Sequence, residues 1–338
     1  SLVLNQADHG SIPPETRQKV LEAAKELHSD KPARTRSKGQ PKSGAILVLA
    51  GSMTNPYYPY MLQGLERAAA GEHLHLLACC THHRAEEERA FLELAVRQRH
   101  LAAIYLYPPE DEAFAQQMNL RLPVLAICDK RKGSRLDLIE LNNYQAGVLA
   151  AEHVIGLGHR RIAVLAAEPD RNLARINRIK GITACAAAHG LEDQLTVLTR
   201  LPDGGELDGG TLGEGDDYRA GYRLAPYLEC YFPGCTALIA INDMQAIGAL
   251  DGLLYSGRNV PEEISVVGFD NLLFAGVSRI SLTSVDHHPD VLAQAAMDLL
   301  RHRITPESRG HWLSAARFQV DCAPRLVMRN STARLNVK

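Results

Sequence analysis

Aromatic residues are scarce, at 5% of the 338 positions with a single tryptophan, so the core must be aliphatic. No run reaches the roughly 18 apolar residues that a membrane-spanning helix needs, so no membrane partner is expected. The first ten residues, SLVLNQADHG, lack a charged stretch followed by an apolar one, and no export signal is expected there. Net charge is small, at -2, so the chain as a whole is no magnet for nucleic acid. None of the seven cysteines is spaced CxxC, and their number is odd. That pattern suits structural thiols in a reducing compartment and a cytoplasmic protein rather than a disulfide framework. The vicinal Cys79 and Cys80 read as small apolar core residues at a strand end.

Several chemical signatures are also missing. No GxGxxG follows a strand, there is no GxxxxGK[ST] loop, and no GxSxG elbow occurs. Histidines pair at His82-His83 and His287-His288, without a Cys, Asp or Glu at metal-binding spacing. They read as surface or turn residues. No enzyme activity, metal or cofactor is expected.

What is present is a long alternation of strands and helices. From Gly44 onward, short apolar strands such as AILVLA (45–50), LAAIYLY (101–107), PVLAIC (123–128), RIAVLAA (161–167), TALIAI (236–241) and ISVVGF (264–269) alternate with amphipathic helices. Continuous apolar strands separated by helices mark parallel sheets covered on both faces. Two such series, with a break near Leu138–Asn142, argue an α/β protein of two doubly wound lobes. Helices are expected over Pro56–Ala70, Ala85–Gln98, Asn143–Leu157, Asn177–His189, Asp217–Glu229, Met244–Ser256 and Pro289–His302. The last should bury Val291, Leu292, Ala295, Ala296, Leu299 and Leu300 on one stripe. Short strands near Phe318–Val320 and Arg325–Met328 would carry the chain back between lobes, making a hinged cleft. Pro202 to Asp217 is glycine-rich and acidic and reads as a surface loop.

Two segments precede this core. ETRQKVLEAAKEL, behind Pro13-Pro14, is a short helix with Val20, Leu21, Ala24 and Leu27 on one face. Residues 29–43 form a polar linker with Lys31, Arg34, Arg36, Lys38 and Lys42 and no acid after Asp30.

In open α/β sheets, ligands sit at the carboxyl ends of the strands. Asp129 follows PVLAIC, Asn242-Asp243 follows TALIAI, and Asp270-Asn271 follows SVVGF. Asn55, Tyr57 and Tyr58 open the first lobe's first helix. Asn55, Asp243 and Asn271 each read equally as caps of helices or turns. Taken together, carboxylates and amides converging on one edge suit a polyol, with tyrosine rings as faces for a sugar or base. Arg171 and Arg178 follow RIAVLAA at the same edge, with Arg175 as a rival; an arginine there could fork onto paired oxygens.

These residues resemble the LacI family of bacterial transcription repressors. The resemblance is carried by GHRRIAVLA (158–166), TALIAINDMQAIGAL (236–250), VPEEISVVGFDN (260–271), SLTSV (281–285) and PRLVMRNST (324–332). SLVLN followed by IPPETRQKVLEAAKEL resembles the end of that family's recognition helix and the helix after it. The resemblance implies an incomplete helix-turn-helix headpiece (1–28) and a hinge (29–43). It also implies a type I periplasmic-binding-protein-like core with a crossover hinge. The implied lobes are 44–141 plus 288–310 and 142–287 plus 311–332. It implies a homodimer that binds operator DNA and responds to a small polar effector, a sugar or sugar derivative in kind, with a solute-binding protein lacking a DNA partner as the rival. The implied effector residues are Tyr57, Tyr58, Asp129, Arg171, Arg178, Asn242 and Asp270. The implied DNA contacts are Ser1, Asn5, Arg34, Arg36 and Lys38. Lys38 stands where the family usually carries a leucine wedged into the minor groove, which leaves phosphate contacts as the hinge's role.

Overall fold

The computed structural model describes residues 44–71, 74–131, 133–166, 172–199, 217–304 and 317–335. The expected headpiece and hinge, with Ser1, Asn5, Arg34, Arg36 and Lys38, lie outside the described residues. So do Arg171 and the acidic glycine-rich segment up to residue 216.

The first series runs β1 (Ala45–Ala50), α1 (Tyr57–Ala70), β2 (His75–Cys80), α2 (Ala85–Gln98), β3 (Ala102–Tyr105), α3 (Glu112–Met118), β4 (Val124–Ile127) and β5 (Asp137–Glu140). The second runs α4 (Asn143–Gly156), β6 (Ile162–Leu165), α5 (Leu173–Ala188), β7 (Leu195–Leu198), α6 (Asp217–Leu224), α7 (Leu228–Tyr231), β8 (Ala237–Ala240), α8 (Asp243–Tyr255), β9 (Ser265–Phe269) and β10 (Thr283–Asp286). The chain closes with α9 (Pro289–Ile304), β11 (Gln319–Asp321) and β12 (Arg325–Val327).

Two six-stranded sheets result, in the orders β11-β5-β4-β3-β1-β2 and β12-β10-β9-β8-β6-β7. Every described pairing is parallel except β12 on β10. Alternation along the strands explains their continuous apolar character. In the second lobe, Ala163 and Leu165 of β6 pack with Leu224, Leu228 and Leu253 on one face. Ile162 and Val164 pack with Val154 and Ile182 on the other. Burial of both faces favours apolar side chains along strands such as β6 and β8, so polarity begins where these strands end.

Several expectations change. β5 was not expected. Its four residues begin with an aspartate, and Asp137 is buried against Arg303 at 2.7 and 2.8 Å, so a charged residue conceals a core strand. β11 pairs with β5, so the chain returns to the second lobe only after Asp321; residues 311–332 therefore do not all belong to the second lobe. α5 starts at Leu173 rather than Asn177, because the Asn172 side chain caps it. The helix expected over Asp217–Glu229 breaks at Leu224, where Pro226 ends the α-helical hydrogen bonding and a 3-10 turn follows. Val291 is 57% exposed; Ala293 and Met297 occupy the buried stripe of α9 with Leu292 and Leu300. β2 is a sheet edge, so Leu77 is exposed, and Cys79 and Cys80 are half-buried rather than core.

Two glycines set the position of the second lobe's cleft wall. A Cβ at Gly147 would fall 2.1 Å from the Arg178 carbonyl, and one at Gly181 would fall 2.0 Å from the Tyr144 carbonyl. Helices α4 and α5 therefore touch backbone to backbone. That contact brings the first turn of α4 beside Arg178.

Candidate ligand-binding cleft

The strand ends of the two sheets face one cleft, open to solvent and lined by polar and aromatic side chains from both lobes. Tyr57, Tyr58 and Asp129 line it from the first lobe; Arg178, Asn242 and Asp270 line it from the second. Six of the seven expected effector residues therefore meet at one place, and the seventh, Arg171, lies outside the described residues.

Arg178 is at the centre. It is 6% exposed and its guanidinium lies 4.9 Å over the Phe269 ring. Its Nε donates to Asn143 Oδ1 at 2.7 Å and its Nη1 to the Ile241 carbonyl at 2.7 Å. Its Nη2 donates to Asp270 Oδ1 at 2.8 Å and to His287 Nε2 at 3.2 Å. A guanidinium carries five N–H donors, so four are engaged and one, on Nη1, is left. The expected two-pronged grip on a ligand thus requires one internal bond to be given up.

Asp270 directly follows β9 and holds φ at 96°, a conformation sparsely populated by residues other than glycine. Its amide donates to the Val285 carbonyl at 2.8 Å, which fixes the turn that aims the carboxylate at Arg178. Asp129, 3% exposed, accepts from the Asn143 amide (3.3 Å), Asn143 Nδ2 (2.9 Å) and Asn177 Nδ2 (3.2 Å). Asn143 therefore joins a first-lobe carboxylate to the second-lobe arginine.

Asn242 is partly a cap. Its Oδ1 accepts from the Gln245 amide at 2.8 Å at the start of α8, and its Nδ2 donates to Asp217 at 2.6 Å. Asp243 faces away from the cleft: fully buried, it accepts from Ser284 at 2.6 Å and from the Leu272 amide at 2.7 Å. Burial, and then the neighbouring Asp270, pushes its carboxyl well above the usual range. Arg175 also lines the cleft, but its Nη2 is bound to both oxygens of Asp217, at 2.9 and 2.8 Å.

On the first-lobe side, the Tyr57 hydroxyl is buried and has no hydrogen-bond partner among the described residues. Burial, and then Asp270, raises its proton affinity, so it stays a neutral donor. Tyr58 is 5% exposed and its hydroxyl lies 3.5 Å from His83 Nε2. His83 also meets Glu110 at 3.3 Å and stands edge-on to Tyr107, with 4.4 Å between ring centres. Tyr107 donates to the buried Glu88 at 2.8 Å, and Glu88 accepts from the Glu110 and Asp111 amides, which holds the loop forming this wall.

His83, Tyr107, Glu110 and Arg131 also line the cleft and Asn143 bridges its two sides, and none of the five is among the effector residues expected from the sequence. The strand-end rule applied to LAAIYLY and HLLACC would have reached Tyr107 and His83. Histidines dismissed as surface residues are not uniformly so: His287 is 3% exposed. Among the described residues no group of three His, Cys, Asp or Glu is placed to hold a metal ion, and no helix is long and apolar enough to cross a membrane.

Polar side chains from two doubly wound lobes, converging on a cleft with chain crossovers behind it, define a hinged binding architecture. Residues 151–332 match the model of the periplasmic binding protein-like domain. The chain belongs to that family. Transcriptional regulators are among its relatives. It is 25% identical to the HTH-type transcriptional regulator DegA of Bacillus subtilis, over 99% of this chain and 94% of that protein. It is 28% identical to the ribose operon repressor of Escherichia coli K12, over 85% of this chain and 83% of that protein. A LacI family transcriptional regulator from Enterococcus faecium, solved with bound ribose, has the same fold. The TM-score is 0.69 at 22% identity, covering 86% of this chain and all of that one. The resemblance to LacI-type regulators read from the sequence is thus borne out.

Proposed function

We propose that this chain is a LacI-type transcriptional regulator whose cleft binds a small polyhydroxylated effector, a sugar or sugar derivative, and thereby changes its affinity for operator DNA. One observation carries the effector reading. Asp129 of the first lobe and the Arg178–Asp270 pair of the second converge on one cleft beside the buried, unpartnered Tyr57 hydroxyl. A polyol supplies both donors and acceptors, so it can serve a carboxylate, a guanidinium and a phenol at once. The spare Nη1 proton of Arg178 and the Tyr57 hydroxyl donate to ligand oxygens. Asp129 and Asp270 keep acceptor capacity for ligand hydroxyls. The tyrosine rings add apolar surface for the face of a sugar ring. The ribose operon repressor and the ribose-bound regulator among the similar proteins support a sugar.

These polar groups are bound to one another and act as fixed hydrogen-bonding partners, which supports binding without turnover. The kinship with regulators supports a DNA partner over a solute-binding role. The test is a thermal-shift screen with D-ribose, other pentoses and hexoses, gluconate and hypoxanthine, each followed by quantifying the ligand after incubation. A ligand at a hundredfold its Kd stabilises by about 2.7 kcal/mol, which for a chain of this size is a rise of roughly 4 °C. The expected result is such a rise with at least one sugar, saturable and without consumption of the ligand. A flat response to every sugar overturns the sugar reading, and consumption of the ligand overturns the assignment as a regulator.

A further inference from the structure

The chain crosses between lobes three times: at Leu141–Asn142 between β5 and α4, at His287–His288 between β10 and α9, and between β11 and β12. The crossings are bonded to one another. Asn142 Nδ2 donates to Asp321 at 3.5 Å, linking the first to the third. Asp286, at the mouth of the second, accepts from Arg325 at 3.2 Å just past the third. His287 links the second to the first, because its Nδ1 lies 3.1 Å from the Leu141 carbonyl. A carbonyl only accepts, so Nδ1 carries the proton. Nε2 is then an acceptor, and it takes the bond from Arg178 Nη2 at 3.2 Å. Burial, and then Arg178, lowers the imidazole's pKa to about 3, so the ring is neutral and the arrangement consistent. Asn142 and His288 both hold left-handed backbone, with φ of 48° and 54°, beside these bonds. Such conformations persist only where their surroundings impose them.

His287 therefore has both nitrogens engaged, one to a crossover and one to the arginine that lines the cleft. We propose that His287 is the positioning residue that couples the cleft to the hinge. It ties Arg178 to the first crossover and so sets the angle between the lobes. A ligand oxygen that takes the Nη2 proton displaces the imidazole and releases that restraint. The arithmetic of Arg178 makes this the accessible exchange. With one N–H free, a two-pronged ligand contact must displace a partner. The imidazole at 3.2 Å gives way more readily than the carboxylate at 2.8 Å, because the shorter bond also joins two opposite charges, whereas the longer one joins the guanidinium to a neutral acceptor.

The proposal rests on the effector reading, but its test needs no ligand. Dyes are attached through unnatural amino acids at exposed Gln98 in the first lobe and exposed Asp193 in the second, and interlobe distances are read by single-molecule energy transfer. The wild type should give one narrow distribution. His287→Leu should broaden or displace it. His287→Gln, whose amide supplies one donor and one acceptor, should restore it. Arg178→Lys, which removes Nη2 while leaving His287 in place, should behave as His287→Leu does, and the double variant should go no further. A wild-type distribution in His287→Leu overturns the proposal. Should that variant fail to fold, a wild-type distribution in Arg178→Lys overturns it equally. In an arm with D-ribose, a shift in the wild type that is lost in His287→Leu supports the coupling. Absence of any sugar-induced shift in the wild type counts against the sugar reading, while the ligand-free widths still decide the hinge.

Discussion

At the scale of single residues, the cleft is a set of polar groups that first satisfy one another. From the sequence, Asp270 is one of several polar residues at strand ends facing the ligand edge. The structure makes it also the buried ion-pair partner of Arg178. Asp270→Ala leaves Arg178 buried at 6% exposure without its carboxylate partner. Breaking a buried pair from one side costs about 3 kcal/mol or more, so a lost ligand response in Asp270→Ala confounds two effects. Asp270→Asn keeps an oxygen for Arg178 Nη2 and removes the charge. Its unfolding midpoint in urea should lie well above that of Asp270→Ala, and its ligand-induced thermal shift should still be reduced. Equal midpoints for the two variants would show that the pair contributes no more than an ordinary hydrogen bond. Asp129 is held by three amide N–H donors rather than a cation. Asp129→Asn should therefore weaken the ligand-induced shift with a smaller loss of stability than Asp270→Ala, measured in the same urea series.

At the scale of elements, the strands were legible because burial on both faces leaves an uninterrupted apolar run, and the polar residue after each run marks the ligand edge. That single regularity yielded Asp129, Asn242 and Asp270. It failed at β5, where a buried aspartate paired with Arg303 hides a strand of four residues. It also failed at the junctions, because which lobe receives β11 depends on pairing with a distant strand and leaves no local mark. Asn143 and His287 escaped notice for the same reason: their partners lie 35 and 109 positions from them, at Arg178. Helix contact is the element-scale feature with the sharpest test. Gly181 meets the Tyr144 carbonyl, where a Cβ would fall at 2.0 Å, and backbone cannot yield as a flexible side chain can. Gly181→Ala must push α4 and α5 apart. Overpacking of this kind costs about 1–3 kcal/mol, and it moves Arg178, one turn away, relative to Asn143. The expected outcome is a lower urea midpoint together with a weaker sugar-induced thermal shift. A variant with wild-type stability would mean that the helix pair is loosely seated.

At the scale of the whole molecule, the lobes share one hinge network, and its neutral imidazole makes overall stability depend on acid. His287 has a pKa of about 3 in the folded chain, against an ordinary value near 6.5 in the unfolded one. The folded pKa is depressed, so above pH 6.5 neither state takes up the proton and nothing is lost. As pH falls below 6.5, the unfolded chain binds a proton that the folded chain refuses, and stability declines until the folded pKa is reached. The slope from this one group approaches about 1.4 kcal/mol per pH unit. Burial also lowers His153 and His159, which act in the same direction, whereas burial raises Glu88 and Asp243, which oppose it. The total curve therefore does not isolate His287, but a difference between two proteins does. His287→Gln removes this titration and leaves the other groups in place. The gap in unfolding free energy between wild type and His287→Gln should be constant from pH 8 to 7. Below pH 6 it should shift in favour of the variant by roughly 1 kcal/mol per pH unit, as read from urea unfolding at closely spaced pH values. A gap that stays constant down to pH 4 would mean that the imidazole is protonated as readily in the folded chain as in the unfolded one, which its two hydrogen bonds, to Leu141 and from Arg178, do not permit.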